Sequence, residues 1–159
     1  MSLKKVTLYA DGACTHNPGG PGGYGILLRY GKVEKTFSGA VKETTNNRME
    51  LTGIIKGLQL LKEPCEVTVF TDSKYVVNGV NKGWAKSWRR NNWIKSNGEK
   101  VANPDLWEEL LNLLKMHDVK FNWIKGHAGY RENEICDNLA THEADKIAND
   151  DLSNYITEF

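Results

Sequence analysis

Glu66-Val-Thr-Val-Phe-Thr-Asp72 is a run of alternating β-formers closed by an acid, and it repeats the plan of Lys5-Val-Thr-Leu-Tyr-Ala-Asp11. Alternation with period two reads as a half-buried strand. In such strands Asp11 shares a face with Tyr9 and Thr7, and Asp72 shares one with Phe70 and Thr68. Between the two runs the spacing turns helical: Leu51, Ile54, Ile55, Leu58 and Leu61 form one stripe, with Asn46 placed to cap its start and Pro64 to stop it. Strand, helical crossover and strand predict parallel pairing with a right-handed connection. The acids that end both strands then stand beyond the carboxyl edge of the sheet, where α/β proteins gather functional groups.

The rest of the chain fits around this unit. A Gly/Pro-rich loop from Gly12 to Gly23 follows the first strand, and two further strands are expected near Tyr24–Tyr30 and Val33–Val41, joined at Gly31-Lys32 as a hairpin. A short helix is expected from Ser73 to about Gly83. Asn103-Pro-Asp opens another, with Pro104 at its first position and Leu106, Trp107, Leu110, Leu111 and Leu114 as its stripe. A strand over Val119–Ile124 and a helix from Asn133 to Ala148 complete a mixed α/β sheet with helices on its faces. The polar stretch from Asp150 onward is expected to be loosely held.

The 159 residues are the size of one domain with a sizeable core, and we read residues 1–159 as a single domain. No apolar run reaches the length of a membrane span, and no signal-peptide apolar region opens the chain, so no membrane partner is expected. Three widely spaced cysteines, Cys14, Cys65 and Cys136, fit neither a disulfide framework nor a zinc site, which makes a reducing cytoplasm the expected location. The net charge of +1 hides segregation. Between Lys82 and Lys100 six bases face one acid; without that segment 15 bases face 19 acids, a net of −4. A basic patch on a mildly acidic body points to a polyanion held at one face.

Two more acids join the strand-end pair. Glu50 lies in the first turns of its helix, in line with Gly53, Ile54, Gly57 and Leu61, and Asp137 aligns with Ala140, Ala144 and Ala148. Both therefore point toward packed surface. Singly, each acid is explained as a turn former, cap or dipole partner. Jointly, two strand ends of matching parity and two inward helical acids describe a site for divalent cations, without which the charges would repel. Hard oxygen ligands favour magnesium or manganese over zinc, and no His/Cys ligand set is offered. Two such ions about 3.5–4 Å apart form a clamp for in-line attack on a phosphodiester.

His127 lies in Lys125-Gly-His-Ala-Gly129, directly before the last helix. Alone it reads as a solvated loop residue; beside a metal–carboxylate cluster it reads as a mobile proton carrier. Gly83-Trp84-Ala-Lys-Ser-Trp88-Arg-Arg-Asn-Asn-Trp93 holds three of the five tryptophans among cations. Trp84 is assigned mainly to stapling a small helix to the core. Trp88 and Trp93 are assigned to contact with a nucleic-acid backbone, with Lys86, Arg89 and Arg90 on its phosphates.

Tyr9-Ala-Asp-Gly-Ala-Cys14, Thr44-Thr-Asn-Asn-Arg-Met-Glu-Leu51, Thr71-Asp-Ser-Lys-Tyr-Val76, Gly126-His-Ala-Gly129 and Asn133-Glu-Ile-Cys-Asp137 resemble the bacterial type 1 ribonuclease H family in order and spacing. The likeness runs from about Lys4 to Ala148. It implies the ribonuclease H-like fold, a five-stranded mixed sheet whose first three strands are antiparallel. It also implies an endoribonuclease that hydrolyses the RNA strand of RNA–DNA hybrids with two magnesium ions, leaving 5′-phosphate and 3′-hydroxyl ends. By resemblance Asp11, Glu50, Asp72 and Asp137 are metal ligands and His127 is the mobile histidine. Asn17, Asn46 and Asn47 match polar contacts to the hybrid, and Thr45 matches a pocket for a DNA-strand phosphate. The segment from Trp84 to Lys100 matches the basic protrusion, including Trp84, Lys86, Trp88, Arg89, Arg90 and Trp93. Polar groups in the minor groove can reach the 2′-hydroxyl that tells RNA from DNA. A monomer is expected.

The chain departs from the family at two places. Lys74 stands where the bacterial enzymes carry a glutamine, and the protrusion is diluted by Ser87, Asn91, Asn92, Ser96 and Asn97, which predicts weaker and less salt-sensitive hybrid binding. Without a separate N-terminal hybrid-binding module, long processive cleavage is not expected. The competing readings are a polynucleotidyl transferase core on the same fold and a non-catalytic hybrid-binding module. The first lacks the Asn-Asn-Arg-Met-Glu helix start and the Trp-rich protrusion. The second has no use for clustered acids facing a polyanion.

Overall fold

The computed structural model describes the backbone of residues 3–157 and the side chains of residues 3–148. Five strands form one sheet in the order β3-β2-β1-β4-β5: β1 (Lys4–Cys14), β2 (Gly22–Tyr30), β3 (Val33–Val41), β4 (Cys65–Thr71) and β5 (Asp118–Trp123). The first three pair antiparallel, while β4 pairs parallel with both β1 and β5. Tyr30 faces Val33 across the two-residue turn at Gly31-Lys32, as the hairpin reading required.

The crossover between β1/β2/β3 and β4 is helix α1 (Asn46–Gln59). Its apolar stripe packs on Val6, Leu8 and Ala10 of β1 and Val67 and Val69 of β4 in one core cluster. Four further helices follow: α2 (Lys74–Asn81), α3 (Trp84–Arg90), α4 (Pro104–Leu114) and α5 (Arg131–Thr157). Trp107 of α4 is fully buried, and its indole N–H donates to Tyr75 Oη at 2.9 Å. Asn103 donates to the same oxygen at 3.1 Å, and Arg48 of α1 clasps Asp105 with two hydrogen bonds of 3.0 and 2.7 Å. Helices α1, α2 and α4 are thereby tied together beside the sheet. On the other face α5 lies over β1 and β2, with Cys136, Ala140 and Ala144 buried against the strands.

Several boundaries differ from expectation for identifiable reasons. β1 does not end at Asp11: its pairing with β4 stops at Tyr9–Phe70, but its pairing with β2 continues to Cys14–Gly22. The glycines of that stretch extend the antiparallel ladder and leave a shorter loop. Thr45, not Asn46, caps α1. Thr45 has extended backbone and its hydroxyl accepts from Arg48 N–H at 3.1 Å, while the Asn46 N–H is taken by Asn17 Oδ1 at 3.1 Å. β5 begins one residue earlier than read and stops at Trp123. The last helix starts at Arg131, with Glu132 and Glu134 favourably placed in its first turn, and its backbone extends past Ala148 to Thr157. The expectation of a loosely held stretch from Asp150 onward concerns side chains outside the described residues.

Candidate active site

Where β1 and β4 part company, a cleft of about 450 Å³ opens at the carboxyl ends of the parallel strands. Tyr9 and Phe70 are the last register partners, and their rings stack with centroids 5.1 Å apart. Asp11 and Asp72 lie two residues further on, so the shared parity read from the sequence carries both acids to the same side. Glu50 arrives from α1. One carboxylate oxygen from each of Asp11, Glu50 and Asp72 lies within 4.8 Å of the others. Asp137, from α5, lines the same cleft and adds its charge to the field on Asp11, but stands outside that tight group of three.

Two glycines make this convergence possible. A Cβ at Gly12 would stand 2.6 Å from the backbone nitrogen of Glu50 and 2.6 Å from the carbonyl carbon of Met49. Only a bare backbone lets the first turns of α1 approach β1 closely enough to deliver Glu50 to Asp11. At Gly126, a Cβ would stand 2.6 Å from the Asp72 carboxylate. The loop carrying His127 can therefore lie against Asp72.

The electrostatics are those of a site short of positive charge. Burial, reinforced by the Asp72 charge, pushes the Asp11 carboxyl up to about 8. Burial and the neighbouring Asp11 and Asp72 charges push Glu50 well above the usual carboxylate range. Glu50 Oε2 is buried without a hydrogen-bond partner among the described residues. A native structure rarely leaves such an atom unpaired. Three carboxylates gathered this closely, with a buried Glu50 oxygen left unpaired among the described residues, suit a hard divalent cation. The donor set fits the magnesium expected from the sequence.

His127 lines the cleft from the β5–α5 loop with left-handed backbone, φ 54°. Asn46 and Asn47 line it from the start of α1. Asn17 and Thr45 sit beside them: Asn17 is held by the Asn46 N–H, and the Thr45 hydroxyl is engaged in the cap. The basic tryptophan-rich residues stand apart from the cleft, on α3 and the turn after it. There the structure inverts the expected division of labour. Trp84 is 43% exposed, whereas Trp88 and Trp93 are half-buried against the core. Trp88 meets Trp107 edge-on at 5.9 Å, because α3 turns that side of itself toward α4. Lys86 and Arg90 are exposed, and Arg89 lies 4.0 Å from Glu108.

Sequence reasoning missed the two glycines and Trp123. The indole N–H of Trp123 donates to the Asp72 carbonyl at 3.0 Å, and Lys74 Nζ lies 4.8 Å over its ring. An exposed tryptophan at the last position of β5, directly before the His127 loop, was the available signal.

A family model described as RNase H matches residues 3–145. A ribonuclease H of Desulforamulus reducens is 56% identical over 143 residues, which span 90% of this chain and 89% of that protein. One from Syntrophus aciditrophicus is 53% identical over 141 residues, spanning 89% and 81%. Among solved structures, LC9-RNase H1, described as a type 1 RNase H with the type 2 active-site motif, superposes with a TM-score of 0.83 at 31% identity. That match covers 92% of this chain and 74% of the other. LC11-RNase H1, solved in complex with an RNA/DNA hybrid, shares the fold with a TM-score of 0.64 at 23% identity, over 89% of this chain and 97% of the other. Family match, high identity over nearly the full length and shared architecture agree: the chain belongs to the type 1 ribonuclease H family of enzymes.

Proposed function

We propose that this ribonuclease hydrolyses the RNA strand of RNA–DNA hybrids, internally, leaving 5′-phosphate and 3′-hydroxyl ends, with magnesium as its cofactor and manganese as a working substitute. The observation that carries the reading is the group formed by Asp11, Glu50 and Asp72, one oxygen of each within 4.8 Å of the others, with Glu50 Oε2 buried and unpaired among the described residues. Asp11, Glu50, Asp72 and Asp137 would hold two ions, which when bound supply an activated water and stabilise the leaving oxygen. The chain's own groups do the rest. Asn46 and Asn47 reach into the cleft from α1, where a 2′-hydroxyl in the minor groove is the group that distinguishes RNA. Asn17, locked to the Asn46 N–H, orients the edge of that contact, and Thr45 offers its hydroxyl to a DNA-strand phosphate. His127, exposed on a loop, is free to carry a proton to the leaving oxygen. Lys86, Arg89 and Arg90 grip the DNA strand through phosphates without reading sequence.

No helix among the described residues is long and apolar enough to cross a membrane. We take the enzyme to act as a monomer in the cytoplasm.

The test is a panel of labelled RNA–DNA hybrid, duplex DNA and duplex RNA, each with magnesium and with chelator. Cleavage confined to the RNA of the hybrid, and lost on chelation, is the expected result. Cutting that survives chelation, or that favours duplex DNA, overturns the proposal.

A further inference from the structure

Lys74 is a cation that lines a cleft built of carboxylates, yet among the described residues no carboxylate pairs with it. Its ammonium instead rests 4.8 Å from the centre of the Trp123 ring. The same indole turns its N–H to the Asp72 carbonyl at 3.0 Å. Lys74 is the first residue of α2 and Asp72 stands just before that helix's cap, Ser73, whose hydroxyl accepts from Val76 N–H at 3.3 Å. Trp123 closes β5 and leads into the loop that carries His127. One exposed side chain therefore touches both the backbone of Asp72 and the Lys74 ammonium.

We propose that Lys74 is a phosphate-binding residue of the cleft, kept ready by the face of Trp123, and that the N–H of Trp123 makes it a positioning residue for Asp72. The chemistry of each contact supports its part. A cation over an aromatic face in a solvent-exposed setting is held weakly, so the ammonium exchanges readily onto a phosphate oxygen, a charge-assisted and shorter contact. An ion pair with Asp72 or Asp137 would have consumed that charge; the ring orients it without neutralising it. A lysine delivers a point charge that follows a backbone phosphate regardless of sequence. At the lip of the cleft that charge adds a contact beside the reacting strand, in a chain whose protrusion is thinned by neutral residues. The hydrogen bond to Asp72 fixes the peptide from which the carboxylate projects, and so fixes where that carboxylate points.

The inference rests on the hybrid-cleavage reading above, and the experiment separates the two. Wild-type protein, Lys74→Met, Lys74→Arg, Trp123→Phe and Trp123→Leu are compared with magnesium on a labelled hybrid. Hybrid affinity is followed across a salt series, and thermal melting checks folding. Lys74→Met is expected to weaken binding about fivefold near 0.1 M salt and to flatten the salt slope by about 0.7–0.9, the share of one phosphate contact. Its KM rises with kcat within about twofold, the pattern of lost uniform binding. Lys74→Arg restores both affinity and slope. Trp123→Phe keeps the aromatic face and loses the N–H, so kcat falls about threefold to tenfold with KM near wild type. Trp123→Leu suffers both changes. If wild-type protein does not cut the hybrid, the function reading itself falls. If wild type cuts, and Lys74→Met binds as tightly with an unchanged slope, the phosphate assignment alone is overturned. A Trp123→Phe variant with unaltered kcat overturns the positioning role. Lys74 is exposed, so its variants remain decisive even where Trp123→Leu fails to fold.

Discussion

Gly12 lies against the backbone of Glu50, with room for no side chain: an added Cβ would stand 2.6 Å from the Glu50 nitrogen. The contact joins strand β1 to the first turns of α1, and it sets how near Glu50 comes to Asp11. Gly12→Ala has to push backbone against backbone. We expect a loss of about 1–3 kcal/mol, the usual cost of overpacking, together with at least a tenfold fall in kcat as Glu50 is displaced. Thermal melting and initial rates on a hybrid check this. A variant with wild-type melting and wild-type rate would contradict the close-approach argument.

On the proposed mechanism, Asp11→Asn removes a metal donor and a repelling charge together. Turnover is expected to vanish while hybrid binding stays level or improves. The same substitution has a consequence for the metal-free protein. In that state Asp11 holds its proton up to about 8, against an ordinary value of 3.8, because burial and Asp72 oppose its ionisation. A carboxyl raised on folding favours the native state fully below pH 3.8, and that contribution drains away as pH rises toward 8. In chelator, wild-type protein should therefore lose melting temperature across that window, and Asp11→Asn should flatten the decline. Magnesium should rescue the wild type most at the alkaline end. Parallel curves for the two proteins would show that Asp11 is not the group responsible.

His127 sits on an exposed loop and lines the cleft, and among the described residues no carboxylate pairs with it. In its proposed role of proton carrier it would assist a reaction whose charge stabilisation lies elsewhere. His127→Ala should lower kcat by about 10²-fold, the low end of what a positioned acid or base contributes, and leave KM nearly unchanged. Single-turnover and steady-state rates are the measurement. Complete loss of activity would mean that the histidine is indispensable to the chemical step.

The tryptophans of the protrusion separate cleanly by burial. Trp88 packs against Trp107, itself fully buried, so Trp88→Ala is expected to cost about 3 kcal/mol of stability. Trp84, 43% exposed with Lys82 Nζ 5.2 Å from its ring, presents a free surface. Trp84→Ala should melt like wild type and weaken hybrid binding by about 1 kcal/mol, the low end of an aromatic contact to nucleic acid. Denaturant unfolding and hybrid titration distinguish the two outcomes. Equal stability losses in both variants would contradict the division.

Much of this was legible in the chain because it depends on periodicity. The alternation in Lys5–Asp11 and Glu66–Asp72, with a helical stripe between them, was enough to pair β1 with β4 in parallel and to bring Asp11 and Asp72 to one edge. Glu50 and Asp137 followed from helical spacing against small residues. What pattern could not supply was tertiary. Whether Trp84 or Trp88 faces the core depends on how α3 turns against α4, and both positions look alike in a window of cations and aromatics. Thr45 outcompetes Asn46 as the cap because Asn17, distant in sequence, takes the Asn46 N–H. The continuation of β1 to Cys14 depends on β2 being available as a partner after β4 has diverged. The bare backbones at Gly12 and Gly126 matter only once their neighbours are known.

The central claim is that Asp11, Glu50 and Asp72 share bound divalent cation. Anomalous diffraction from crystals equilibrated with manganese reports this directly, because the ion's own signal marks its position. The account predicts strong peaks ligated jointly by those three carboxylates, one of them extending to Asp137. Well-ordered carboxylates with no peak among them, at manganese concentrations that support cleavage in solution, would contradict it.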